Sequence, residues 1–304
     1  MPPLLRPELL YLSYVGIETD LIFNHGIDLP EFSLYPKVET EDGRALLRRY
    51  AKAQIAIATA NGMGAILETP TWMANTDRAA ALGYDAEALD RINAKAVTLL
   101  REDRTASEHH VLISGNIGPR DDAYAPSEQM DADTACAYHT RQINALRGVD
   151  MIGAFTLAYV AEAIGIARAA QAAETPVVLS FTVETDGRLP DGMALCDAMA
   201  ACDDATDGSA AFYMINCAHP EHFAHVLDGG AWQQRLGGIV ANASRCSHAE
   251  LDAATKLDAG DPKALGVQIA ALSSDHRNLR VFGGCCGTDA RHLNAIATAL
   301  SAEN

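Results

Sequence analysis

An α/β chain folded as a single (β/α)8 barrel, the TIM-barrel class, is what this sequence predicts, and three observations predict it. Eight short apolar runs recur along its length. Alanine-rich stretches with helical spacing lie between them. The 304 residues suit eight βα units, which take about 250 residues before insertions. A doubly wound open sheet is the other arrangement such an alternation allows.

The strand runs are LLYLSY (9–14), GAILE (64–68), VLISGN (111–116), DMIGAF (150–155), PVVLSFT (176–182), AFYMIN (211–216), LGGIVAN (236–242) and LRVFGG (279–284). They read as nearly continuous apolar segments rather than alternating ones, the pattern of parallel strands covered on both faces. Between them, RALLRRYAKAQIAIATA (44–60) and AEAIGIARAAQAA (161–173) carry apolar residues every three or four positions on alanine-rich helices. Patches rich in Pro, Asp and Gly at 117–127 and 184–192 read as strand-to-helix loops. NGMGAI (61–66) has too few glycines for a dinucleotide loop and precedes a strand rather than a helix. With no repeat, low-complexity tract or linker, residues 1–304 are expected to form one domain.

Composition narrows the function. Hydrophobic residues make up 49% and charged ones 21%, as in an ordinary globular enzyme. Forty acidic against 23 basic residues give a net charge of −17, which argues against nucleic acid and anionic membranes and tolerates a cationic small molecule. No apolar run approaches the 18 or so residues of a membrane span. The opening MPPLLRPELL has prolines and an acid where a signal peptide needs an apolar stretch, so a cytoplasmic location is expected. Oligomeric state is not legible, and a homo-oligomer stays possible.

Seven cysteines, an odd number without framework spacing, fit reduced thiols rather than disulfides. Most buried thiols are small packing residues, but three stand at strand ends. Cys217 follows the sixth apolar run, and the adjacent Cys285 and Cys286 follow the eighth. Functional groups of a barrel gather at that rim. Three thiolates with one open position make a plausible catalytic zinc site, and the flanking glycines permit the bend two adjacent ligands require. Inert packing and a vicinal redox pair are the competing readings.

The segment Gly283-Gly284-Cys285-Cys286-Gly287-Thr288, followed by His292, together with the pair Asn216-Cys217, resembles the zinc-dependent homocysteine S-methyltransferase family. Weaker likenesses lie at 16–30, 66–72, 114–120 and 240–244. The resemblance implies that zinc on Cys217, Cys285 and Cys286 takes an acceptor thiol in its fourth position. The resulting thiolate then attacks the methyl group of a sulfonium or ammonium donor. The partners implied are a thiol, homocysteine first, and a small methyl donor: S-methylmethionine, S-adenosylmethionine or betaine. Asn242 is the implied fourth ligand at rest, or a polar contact nearby. Two positions depart from the family pattern. Tyr14 stands where an aspartate is usual, and Phe155, followed by Thr156, stands where a glutamate holds the amino group of homocysteine. Either Glu18 or Glu68 substitutes, or the acceptor is a different thiol. A zinc-binding barrel without catalysis is the remaining alternative.

Other features read as structural. His219, His222 and His225 surround Pro220 and suggest a solvated helix start. His109 and His110 suggest surface, and Cys246 a structural thiol. The CDDATD run (202–207) suggests a solvated helix end with Asp203 or Asp204 as cap. Thr182 and Glu184 are minor candidates for the pocket.

Overall fold

The computed structural model describes residues 4–302. Eight parallel strands close into a barrel in chain order: β1 Tyr11–Leu12, β2 Gly64–Glu68, β3 Val111–Ile117, β4 Met151–Leu157, β5 Val177–Phe181, β6 Ala210–Asn216, β7 Leu236–Ala241 and β8 Val281–Gly284. Every predicted run supplies one of them, and the open-sheet alternative is excluded. β1 is shorter than its run because pairing with β2 stops at Leu12↔Ala65. Beyond that only the β8 side remains bonded, through Ser13 N–H to Phe282 O and Gly284 N–H to Tyr14 O.

The helices are α1 Ile17–Thr19, α2 Glu41–Ala60, α3 Thr76–Ala81, α4 Ala86–Thr105, α5 Ala132–Ala145, α6 Val160–Ala172, α7 Leu195–Thr206, α8 Pro220–Phe223, α9 His248–Asp252, α10 Pro262–Asp275 and α11 Ala290–Ala302. No helix among the described residues is long and apolar enough to cross a membrane. The buried positions of α2 are Gly43, Leu47, Ala51, Gln54 and Ala58, the stripe expected from its spacing. Thr40 caps it by accepting from Gly43 N–H at 3.1 Å. Gln54 is the polar exception in that stripe. Its amide donates to Leu12 O at 3.0 Å and Ile66 O at 2.7 Å, tying the helix to β1 and β2.

Two apolar layers hold the barrel. Residues such as Leu12, Ile113, Leu179 and Phe282 pack outward against the helices. Tyr11, Ile66, Leu112, Met151, Phe155, Val178, Met214, Val240 and Val281 fill the interior. Each large buried side chain contributes about 1.5–3 kcal/mol. The interior is therefore a plug that leaves the C-terminal rim as the place for a cavity.

Three structural readings need correction. His219 and His222 are buried rather than solvated; His222 Nε2 lies 2.8 Å from Arg245 O. His109 and His110 are half-buried, the latter edge-on to Tyr11. Asp203 is no cap: Arg235 donates to both its oxygens at 2.9 Å and Tyr213 OH donates at 2.7 Å.

Candidate metal centre and active site

The three cysteines at the ends of β6 and β8 meet. Sγ of Cys217 lies 3.2 Å from that of Cys285 and 3.6 Å from that of Cys286. Among the described residues they are the group of three or more metal-ligating side chains that could hold an ion, all within 4.8 Å. No cysteine is in a disulfide, and these separations far exceed an S–S bond of about 2.05 Å. Three sulfurs around a tetrahedral zinc with ~2.3 Å bonds stand roughly 3.8 Å apart, close to what is found. Three soft donors with no fourth protein ligand in the cluster is the composition of an open zinc site.

Backbone contacts fix each sulfur. Cys285 N–H donates to Ala241 O at 2.7 Å and Ala243 N–H donates to Cys286 O at 3.0 Å, joining the β8 turn to the end of β7. Thr288 Oγ donates to Cys285 O at 2.6 Å and accepts from Gly16 N–H at 3.1 Å. The chain passes so closely there that a Cβ on Gly16 would stand 2.3 Å from Cys285 O. Gly287, at φ +80°, makes the turn after the pair. Cys217 itself has φ +57°, a left-handed conformation costing a non-glycine residue about 1–2 kcal/mol. Strain of this kind concentrates at functional sites.

The three thiols differ in acidity. Hydrogen bonds from the Cys285 and Cys286 thiols hold Cys217 well below the ordinary thiol range, against the opposing effect of burial. The same bonds, with burial, push Cys285 and Cys286 well above it.

These sulfurs line a cavity of about 410 Å³. Tyr14, Glu18, Phe155, Thr156 and Asn242 line it as well. Tyr14 OH donates to Glu18 Oε2. Burial raises the Glu18 carboxyl to about 7 in spite of that bond. Asn242 donates from Nδ2 to Cys217 O at 2.9 Å, and its buried Oδ1 has no partner. Thr156 is already committed: at φ +64°, its N–H and Oγ both bond the Asn216 side chain at 2.8 Å. Asn216 also accepts from Ser180 Oγ at 2.7 Å, bracing β4, β5 and β6. Glu68 is not among the lining residues. Its Oε1 accepts from Ser13 Oγ at 3.0 Å, and burial raises it to about 7 in spite of that bond.

Two side chains at the centre escaped the sequence reading. Tyr124, from the loop after β3, places its hydroxyl 2.8 Å from Cys217 Sγ. Its ring stacks on His248 of α9 with centroids 4.0 Å apart. Glu184 reaches the same place from the loop after β5, with Oε1 3.0 Å from His248 Nδ1. Burial pulls the His248 pKa down, but the Cys217 thiolate and carbonyl and Glu184 together raise it. The loop patch containing Tyr124 is visible in the sequence; which residue of it touches the sulfurs is not. Thr182 is buried and outside the cavity lining.

Comparisons with known proteins show the fold and the family. Curated proteins returned no match. Among solved structures, the metallated form of the homocysteine methyltransferase MmuM from Escherichia coli aligns with a TM-score of 0.71 at 22% identity. The alignment covers 98% of this chain and 96% of that one. The oxidized form of the same enzyme aligns with a TM-score of 0.73 at 22% identity, covering 97% and 96%. At such identity the likeness speaks for the fold. The model of the homocysteine S-methyltransferase family matches residues 44–300, most of the chain, and the protein belongs to that family.

Proposed function

We propose that the protein is a zinc-dependent S-methyltransferase. It moves a methyl group from a sulfonium or betaine-type donor to a thiol, with homocysteine the leading acceptor and methionine the product. The observation that carries this reading is the convergence of Cys217, Cys285 and Cys286 in the lining of the cavity. Zinc held there would lower the pKa of an acceptor thiol, so that a thiolate nucleophile is present near neutral pH.

The chain's own residues supply position and environment. Transfer forms a bond from the acceptor sulfur to the methyl carbon and breaks the bond from that carbon to the onium sulfur or nitrogen. The leaving group keeps the electron pair, and the thiol proton passes to solvent. No base is needed at carbon, so rate comes mainly from aligning two substrates. Trp72, Phe23, Phe32 and Tyr14 add aromatic surface to the cavity, which excludes water and attracts an onium donor. Trp72 is fixed by donation from Nε1 to Phe155 O at 3.1 Å. Tyr124 lies against Cys217, its hydroxyl 2.8 Å from the sulfur.

A second acceptor reading is favoured by Phe155 and Tyr14, which present aromatic side chains where the family carries acids. Of the buried carboxylates nearby, Glu18 is engaged by Tyr14 and Glu68 by Ser13; the other acids of the lining, Asp122, Asp252 and Asp258, are solvent-exposed. A thiol without an amino group suits such a lining. The test is methyl transfer to a panel of thiols, with and without an amino group, from S-methylmethionine, S-adenosylmethionine and betaine, with Cys286→Ala as control. Turnover of homocysteine supports the leading acceptor, and turnover confined to amine-free thiols supports the second. No methylation of any thiol refutes the proposal.

A further inference from the structure

Cys217 carries the left-handed backbone of the cluster, and its carbonyl oxygen is held by two side chains. Asn242 Nδ2 donates to it at 2.9 Å and His248 Nε2 at 2.7 Å. A carbonyl oxygen only accepts, so His248 Nε2 carries a hydrogen. The other ring nitrogen faces Glu184 Oε1 at 3.0 Å. Tyr124 covers the imidazole face and closes on the sulfur of the same cysteine. Loops after β3, β5 and β7 thus converge on one ligand-bearing residue.

We propose that His248, oriented by Glu184, is a positioning residue for the metal centre. It holds the Cys217 backbone in the conformation that turns the sulfur toward Cys285 and Cys286. The inference rests on the zinc reading above and deepens it. Without His248, the carbonyl keeps only the Asn242 donor, and the left-handed conformation loses part of what opposes its relaxation. Groups that orient ligands in this way typically alter metal affinity 10- to 100-fold when removed.

The experiment measures zinc affinity by competition with a chromophoric chelator, alongside the absorption spectrum of the cobalt-substituted protein, for wild type, His248→Ala, His248→Gln and Glu184→Ala. Wild type is expected to bind one zinc per chain. His248→Ala should bind it roughly 10- to 100-fold more weakly and show a diminished thiolate-to-cobalt charge-transfer band. His248→Gln restores an N–H donor and should recover most of both signals, and Glu184→Ala should fall between. Wild-type affinity and spectrum in His248→Ala would overturn the proposal, as would a Gln variant no better than Ala. Should His248→Ala fail to fold, Glu184→Ala decides, and an unchanged affinity and spectrum there overturn it. A wild-type protein that takes up no zinc overturns the metal reading and this proposal together. Zinc binding insensitive to His248 overturns this proposal alone.

Discussion

Replacing Glu18 by Gln gives a pH-dependent stability change that follows from the site's geometry. The carboxylate is 6% exposed and accepts from Tyr14 OH, and burial raises its pKa from 4.5 to about 7. The folded protein therefore holds this proton more tightly than the unfolded chain does. The stability contributed is fully present below pH 4.5 and is lost as pH rises through about 7. At 1.36 kcal/mol per pH unit, the loss amounts to about 3 kcal/mol. Glutamine keeps an acceptor for Tyr14 but has no charge to bury. Urea denaturation of the reduced, metal-free wild type and Glu18→Gln between pH 4 and 8.5 measures the difference. The variant should gain on wild type by up to about 3 kcal/mol, most of it between pH 4.5 and 7. Glu68, raised in the same way, is present in both proteins and cancels. Parallel stability profiles would show that Glu18 holds its proton no more tightly in the folded protein than in the unfolded chain.

Three other outcomes are expected. In reduced, metal-free protein, thiolate absorbance near 240 nm should retain a component well below the ordinary thiol range, and Cys217→Ser should remove it; the cause is the pair of thiol donors beside Cys217. Phe155→Glu puts a carboxylate into the cavity lining and should raise the kcat/KM ratio of homocysteine over an amine-free thiol about tenfold, the lower range of a charged hydrogen bond. An unchanged ratio would show that residue 155 does not face the amino group. Glu162→Ala should cost about 1–3 kcal/mol in chemical denaturation for each buried donor left without its acceptor. Glu162 is buried with His139 at 3.0 Å and also accepts from Arg120 N–H at 2.8 Å.

The barrel was legible because its strands are buried on both faces, and such strands leave unbroken apolar runs. LGGIVAN and LRVFGG contain β7 and β8 with one and two residues to spare. The sulfur cluster was legible for a related reason. Cysteine is chemically distinctive, and strand ends in a barrel share one rim, so Cys217 could be paired with residues 68 positions away. Tyr124 and His248 lay outside that logic. Each approaches Cys217 from a strand-to-helix connection, Tyr124 in its loop and His248 at the first residue of α9, whose path is set by non-local contacts, and neither aromatic rings nor histidines signal their partners. The buried His219 and His222 show the same limit, since Pro220 marks a helix start but not what will cover it. Phe155 was legible only as a departure from the family pattern. Its consequence depends on Glu18 and Glu68, whose bonds to Tyr14 and Ser13 appear only once the chain is folded.

Zinc K-edge X-ray absorption, recorded before and after addition of the acceptor thiol, tests the central claim most directly. Three sulfur neighbours at about 2.3 Å and one lighter atom are expected in the resting protein, with a fourth sulfur replacing the lighter atom when the thiol is added. A coordination shell that does not change with thiol, or one that lacks the three sulfurs of Cys217, Cys285 and Cys286, would contradict it.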